Sequence, residues 1–302
     1  MNFGARTPAA DARVIMARAL ERGITHFDTA NAYAEGESER LVGEAVRRHG
    51  STGLTVATKL GIGTLRGPAE GLAPQVVSAA LEASLRRLGL DRVDLCYLHK
   101  PDHGTPIAAT LEALAEAQSR GRLTGWALSN YGAWRSQSAL LAARTLGMSA
   151  PVTNQLLYNV LIRDLEHEYF DFARANALPT TVYNPLAGGL LAGTHVPGAP
   201  PPGSRFDKNP MYRRRYWSDR LFDVVTDLRA LAEQAGQSLV ELSYRWLSGA
   251  PGVDSIIVGP GTLPHLDAAL DALERGPLTP EVARSVDAVF LAYRGTDARY
   301  AR

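Results

Sequence analysis

An acid and a tyrosine stand five residues apart in FDTANAYAEGESE, residues 27–39. Asp28 ends a β-like run, and Tyr33 follows it ahead of a helical pattern. Later runs also end on residues able to do chemistry: VATK on Lys59, CYLH on His99, and ALSN on Ser129 and Asn130. Gln155 lies inside the next run, and Tyr183 and Asn184 close the one after it. Proton transfer to a carbonyl oxygen would use this set. A free tyrosine, with a pKa of about 10, donates poorly at neutral pH. A lysine ammonium beside the phenol favours the phenolate, and a carboxylate holds that lysine charged and in place. A histidine near both can orient the carbonyl or relay the proton. Each residue alone has a plainer role: Asp28 capping a loop, Tyr33 packing, Lys59 solvated, His99 satisfied in the core. Their shared position, at the same end of successive units, points to chemistry.

The elements that must position them alternate. Residues 24–30, 54–59, 93–99, 123–130, 152–158, 178–185 and 255–259 read as strands. Between them lie amphipathic stretches such as PQVVSAALEASLRRLGL and PIAATLEALAEAQSRGR. The first closes on Arg86, Arg87 and Gly89, which suit a helix C-terminus. Apolar strands alternating with helices predict an α/β fold with a parallel sheet covered by helices. In a closed (β/α)8 barrel the polar strand ends converge on one rim, whereas an open sheet spreads them along a line, so the barrel is favoured. The segment MNFG is the candidate remaining strand, and residues 1–302 read as one domain.

The chain has 302 residues, a formal net charge of +1 and one cysteine. That balance gives no electrostatic footprint for nucleic acid or an acidic membrane. No stretch of about 18 apolar residues predicts a membrane span. A lone cysteine, Cys96, within an apolar strand pattern reads as core and fits a reducing, cytoplasmic setting. His99 and His103 in HKPDH have the spacing of a metal pair on a helix, but Pro101 opposes a helix there, and no metal site is expected.

A proton donor of this kind needs a hydride source. The dinucleotide fingerprint of a Rossmann fold is absent: GIGTLRG has Arg66 where the final glycine is required. Glycine-rich loops instead follow the last two strands, NPLAGGLLAG at 184–193 and GPGTLPH at 259–265. Barrels commonly hold phosphate there. Tyr183 offers a flat face to an aromatic ring. A long proline-rich stretch, 193–215, belongs to the same rim.

Taken together, FDTANAY, GESE, VATK, YLHKPD, LSNY, NQLLYN and VYNPLAGGLLAG resemble the aldo-keto reductase family over essentially the whole chain. KPDHGTP, LSNYGAW, NPLAGGLLAG and YRRRYW are most similar to its aflatoxin-aldehyde and succinic-semialdehyde reductase branch. The resemblance implies a (β/α)8 TIM barrel that binds NADP(H) and reduces small carbonyl substrates. It makes Tyr33 the proton donor, Lys59 and Asp28 its tuning partners, and His99 the substrate-orienting residue. Asp28, Ser129, Asn130 and Gln155 would hold the nicotinamide, with Tyr183 stacked on its ring. Asn184, Pro185, Leu186, Gly188 and Gly189 would line the pyrophosphate, and Arg205 would contact the cofactor. Arg215 and Arg302 would grip an acidic group of the substrate, which fits aldehyde-acids. Relatives in this branch are often homodimers.

The chain departs from that pattern twice. A first strand and hairpin normally precede the segment matching MNFG, so one barrel strand is expected to be truncated. At the adenosine end, Gly261, His265 and Ala269 stand where the family has serine, glutamine and asparagine, while Thr262 keeps a hydroxyl. The choice between NADP and NAD stays open there. A second reading is a nicotinamide-binding sensor subunit of an ion channel with vestigial reductase activity, against which all four catalytic positions are kept.

Overall fold

The computed structural model describes residues 1–64 and 69–295. In chain order the elements are α1 (Ala9–Glu21), β1 (His26–Asp28), α2 (Glu37–His49), β2 (Thr55–Leu60), α3 (Pro74–Leu88), β3 (Val93–Leu98), α4 (Ile107–Ser119), β4 (Leu123–Ser129), α5 (Ala133–Thr145) and β5 (Asn154–Leu157). They continue with α6 (Tyr169–Ala175), β6 (Thr180–Tyr183), α7 (Pro210–Tyr216), α8 (Asp219–Gln234), α9 (Leu239–Ser248), β7 (Ser255–Ile256), α10 (Leu263–Glu274) and α11 (Pro280–Arg294). Two compact units divide the chain. The first is Met1–Leu156, Phe172–Thr180 and Gly259–Leu266; the second is Leu157–Asp171, Thr181–Val258 and Asp267–Arg302.

In the first unit β1 to β5 pair in parallel, with Phe27 beside Val56, Lys59 beside Tyr97, Tyr97 beside Ala127, and Ser129 beside Gln155. The Asn154 N–H and the Thr153 hydroxyl donate to the Pro179 carbonyl at 3.0 and 2.9 Å, which seats the lead-in to β6 next to β5. In the second unit Val182 of β6 pairs with Ile256 of β7, and the Ile257 N–H extends the ladder to the Val182 carbonyl at 2.8 Å. Strand order therefore follows chain order, with helices between the strands. That is the arrangement of a (β/α)8 barrel, with seven strands among the described residues. MNFG forms an isolated bridge, Phe3 to Thr7, in place of a further strand. Asn2 donates its side-chain N–H groups to the Gly259 and Pro260 carbonyls, both at 3.1 Å, so this stub rests on the chain that leaves β7.

The strands run nearly continuously apolar because both faces are covered. Val56, Cys96, Leu98, Trp126 and Leu128 pack outward with α2 to α5, while Ala57, Leu95, Tyr97 and Ala127 form a separate buried cluster. Burial drives the Cys96 thiol up to about 12, so it is an inert core residue. Helix α3 starts on Pro74 and stops at Gly89, whose left-handed backbone (φ +65°) lets its N–H reach the Leu85 carbonyl at 2.8 Å. This is the ending the sequence predicts.

Two contacts pin α2 and α3 to β2. Buried Glu39 accepts from the Thr58 hydroxyl at 2.6 Å and from the Arg87 guanidinium at 2.5 Å, on the residue next to Lys59. Gly43 of α2 lies so close to α3 that a Cβ there would stand 1.8 Å from the Leu88 carbonyl oxygen. Backbone cannot retreat as a side chain can, so the helices must part. Gly43→Ala is expected to lose about 3 kcal/mol, the upper range for overpacking. Urea unfolding checks this; a loss below about 0.5 kcal/mol, ordinary for a surface substitution, would contradict the close approach.

In the second unit the Arg163 guanidinium bonds the Asp287 carboxylate at 2.6 Å and stacks on Trp246 and Phe290, 4.2 and 4.3 Å from their ring centres. It ties α9 and α11 to the segment after β5.

Candidate active site

The first unit gathers the predicted acid, lysine, tyrosine and histidine. Asp28 ends β1 and Lys59 lies in β2, one strand away. The Lys59 ammonium is wholly buried; it donates to Asp28 Oδ1 and to the Thr29 carbonyl, the latter at 3.1 Å. Burial pulls the Lys59 amine below its ordinary value, while the Asp28 carboxylate pulls the other way. Gln155 of β5 donates to Asp28 Oδ2 at 2.9 Å, so both carboxylate oxygens are engaged.

Tyr33 opens a 3-10 turn, Tyr33–Gly36, that joins β1 to α2, and its N–H bonds the Ala30 carbonyl at 3.1 Å. Ala34 and Glu35 in that turn are left-handed (φ +50° and +53°), a strain of about 1 kcal/mol per residue. Behind it the Thr29 hydroxyl donates to Ser38 at 2.9 Å, anchoring the start of α2. The Tyr33 ring centre lies 5.2 Å from Lys59 Nζ and 5.7 Å, edge-on, from the His99 ring.

His99 follows β3. Its N–H bonds the Leu60 carbonyl and its carbonyl accepts from Asn130, both at 2.8 Å. Burial first, then the positive charges of Lys59 and Lys100, hold the imidazole well below its ordinary value. It is therefore a neutral ring at pH 7, with Nδ1 buried and, among the described residues, without a hydrogen-bond partner. The unfolded chain takes up this proton below the ordinary histidine value of 6.5 and the folded chain does not. Stability is therefore full above 6.5 and falls as pH drops below it, by at most about 1.4 kcal/mol per pH unit from this one group. Urea midpoints between pH 7 and 5 should show that slope, and His99→Gln should flatten it; an unchanged slope in the variant would assign it elsewhere.

Ser129 ends β4 and donates to the Gln155 carbonyl at 3.1 Å; Asn130, left-handed at φ +63°, also donates to Ser129 Oγ at 3.1 Å. Ser129, Asn130 and Gln155 thus form one polar row on neighbouring strands beside Asp28. Also in the first unit, the Gly261 carbonyl accepts from the Thr7 hydroxyl at 2.9 Å, with Thr262 and His265 exposed at the start of α10.

The second unit holds the other predicted residues. Tyr183 ends β6, half-buried. Asn184 is left-handed (φ +65°), accepts from the Gly188 N–H and donates to the Tyr216 hydroxyl, both at 2.7 Å. Pro185 and Leu186 lead into a turn where Ala187, Gly188 and Gly189 also have positive φ, with the Ala187 N–H bonded to the Asn184 carbonyl at 3.0 Å and the Gly189 N–H to the Leu186 carbonyl at 2.8 Å. A Cβ on Gly188 would come within 2.7 Å of the Tyr212 ring. Arg205 donates to the Tyr212 hydroxyl at 3.2 Å, and Arg215 of α7 lies 6.0 Å from the Tyr216 ring centre. Arg302 lies outside the described residues.

His103 parts company with His99: its Nδ1 meets Arg135 at 2.6 Å on the surface. Among the described residues no group of three or more His, Cys, Asp or Glu side chains is set to hold a metal, and no helix is long and apolar enough to cross a membrane. Sequence reading missed the Thr29 carbonyl, Tyr97, and Glu70, which accepts from the Asn31 amide and the Gly61 N–H, both at 2.7 Å, beside the tyrosine turn. Tyr97 had a signal: in VDLCYLH it stands two residues before His99, on the same face of a strand.

The arrangement has the parts of a proton-donating site: a phenol beside a buried ammonium, a carboxylate holding that ammonium, and a neutral imidazole at the phenol's edge. The amide row beside Asp28 has the donors and acceptors that a carboxamide could pair with. Comparison with known proteins finds a family and relatives for the chain. The family model described as Aldo/keto reductase family matches residues 1–290. The human protein named Aldo-keto reductase family 7 member A3 is 36% identical over 298 residues, covering 93% of this chain and 89% of that protein. The rat (Rattus norvegicus) Aflatoxin B1 aldehyde reductase member 2 is 35% identical over 307 residues, covering 94% and 81%. A rice (Oryza sativa subsp. japonica) protein named Probable voltage-gated potassium channel subunit beta is 30% identical over 295 residues, covering 96% and 90%. The chain belongs to the aldo/keto reductase family, and is thereby a nicotinamide-dependent oxidoreductase acting on carbonyl groups.

Proposed function

We propose that the protein reduces aldehydes to alcohols with NADPH, Tyr33 giving the proton to the carbonyl oxygen. One observation carries this: a wholly buried ammonium, locked to Asp28, stands 5.2 Å from the ring of Tyr33. When bound, the cofactor supplies a hydride to the carbonyl carbon. Negative charge then gathers on the carbonyl oxygen. The neutral His99 ring orients that oxygen toward the phenol, and Tyr33 protonates it. Lys59 stabilises the phenolate that remains. Asp28, whose two oxygens are held by Lys59 and Gln155, keeps the ammonium from turning away. Ser129, Asn130 and Gln155 hold the carboxamide, with Tyr183 on the ring; the 184–189 turn takes the pyrophosphate, and Gly261, Thr262 and His265 line the adenosine end.

The substrates we propose are small aldehyde-acids and dialdehydes, with Arg215 and Arg302 taking a carboxylate as a guanidinium fork does. The relatives named as aflatoxin B1 aldehyde reductases support an aldehyde. Arg205 is the phosphate-reading residue in this proposal, and it should favour NADPH over NADH by at least about tenfold, the worth of one charge-assisted bond. Fluorescence titration tests this. Arg205→Ala should bring the two affinities together; equal affinities in the unaltered protein would overturn the NADPH assignment.

The likeness to a channel-subunit relative favours a second reading, a nicotinamide sensor with vestigial turnover. It predicts tight cofactor binding with no aldehyde-dependent oxidation, which steady-state turnover separates from the first.

A further inference from the structure

We propose that Tyr97 is a positioning residue, whose ring forms a second aromatic wall for the Lys59 ammonium beside Tyr33. This rests on the reading of Tyr33 and Lys59 given above. Lys59 and Tyr97 are direct neighbours across β2 and β3, and Lys59 Nζ lies 5.3 Å from the Tyr97 ring centre, against 5.2 Å from that of Tyr33. The ammonium thus meets two phenol rings while two of its N–H bonds go to Asp28 and the Thr29 carbonyl. Tyr97 is 1% exposed and shares its cluster with Ala57, Leu95 and Ala127, the last opposite it on β4. The small alanines leave room for the ring at the level of the lysine. A desolvated cation gains from such a ring face.

Tyr97 does not replace Tyr33 as the acid. Burial, then the charge of Asp28, drives its phenol above the ordinary value, and its hydroxyl stands against the Gln155 amide in the interior. The titratable groups around Lys59 are Asp28 and His26 of β1, Tyr33 of the turn, and Tyr97 and His99 at β3. The basic limb of the pH profile for aldehyde reduction belongs to this coupled set.

The test is that limb in kcat/KM. Tyr97→Phe keeps the ring face, so its midpoint should match the unaltered protein. Tyr97→pentafluorophenylalanine keeps the shape but reverses the ring's charge distribution, and its midpoint should fall by about one pH unit, tenfold in rate on that limb. Tyr97→Leu should move it the same way. NADPH affinity, read directly by fluorescence, should stay within about twofold in the fluorinated variant. A merely structural role would lower activity without moving the limb. An unmoved limb in the fluorinated variant, or an equal shift in Tyr97→Phe, overturns the proposal. Tyr33→Phe is run alongside. If it is inactive while the limb stays put, the Tyr97 inference alone fails; if it keeps full turnover, the reading of the site fails with it.

Discussion

Replacing Tyr33 with phenylalanine should lower kcat for aldehyde reduction about a thousandfold, within the usual range for loss of a general acid. NADPH binding should be nearly unchanged. In the proposed mechanism the two effects separate because the phenol oxygen is required only when charge develops on the carbonyl oxygen, and not for binding the cofactor. Phenylalanine keeps the ring that packs edge-on to His99, and the strained Ala34 and Glu35 that follow are untouched. Folding should therefore survive. Stopped-flow oxidation of bound NADPH gives the chemical step, and equilibrium fluorescence gives the affinity. Turnover at the rate of the unaltered protein would remove Tyr33 as proton donor, and the neighbouring Tyr97 cannot inherit the role, because its phenol is driven the wrong way.

Lys59→Met should cost activity and stability together. Methionine fills a similar volume but brings no charge. The developing phenolate then loses its stabilising partner, and kcat should fall by about a hundredfold or more. Asp28, only 8% exposed at its side chain, is left with Gln155 as its remaining side-chain donor. Breaking a buried pair from one side costs about 3 kcal/mol. Adding Asp28→Asn to Lys59→Met removes the orphaned charge, so the double variant should regain much of that stability while its turnover stays low. Urea unfolding and steady-state kinetics on the four members of this cycle check both halves. A Lys59→Met protein as stable as the unaltered one would mean that the ion pair is not energetically closed.

The parts of this site that sequence showed are those governed by local rules. Asp28, Lys59, His99 and Ser129 each close a run whose alternation and turn residues mark a strand end, so their common rim followed from the order of elements. Strand limits were less legible. The run read at 255–259 forms a strand over Ser255–Ile256 with one further ladder bond from Ile257, and MNFG bridges to Thr7, because ladders end where a partner ends and not where apolar character does. Long-range pairs left no trace. Glu39 and Arg87 are 48 residues apart, and nothing in GESE announces that its second glutamate is buried. Tyr97 hid in a run that reads as apolar core, and only its two-residue offset from His99 placed it on the same strand face as that residue. Glu70 lies beyond the glycine-rich GIGTLRG, and no local pattern ties it to Asn31, 39 residues earlier.

In the mechanism proposed here, this chain transfers a hydride from NADPH to an aldehyde and a proton from Tyr33 to the resulting oxygen. A single-turnover reaction tests it most directly: protein loaded with NADPH is mixed with succinic semialdehyde, and cofactor fluorescence and alcohol product are followed together. One alcohol should form for each NADPH oxidised, with the step slowed about a thousandfold in Tyr33→Phe. Tight NADPH binding with no aldehyde-dependent oxidation, against this and a panel of neutral aldehydes, would contradict it and leave the sensor reading in its place.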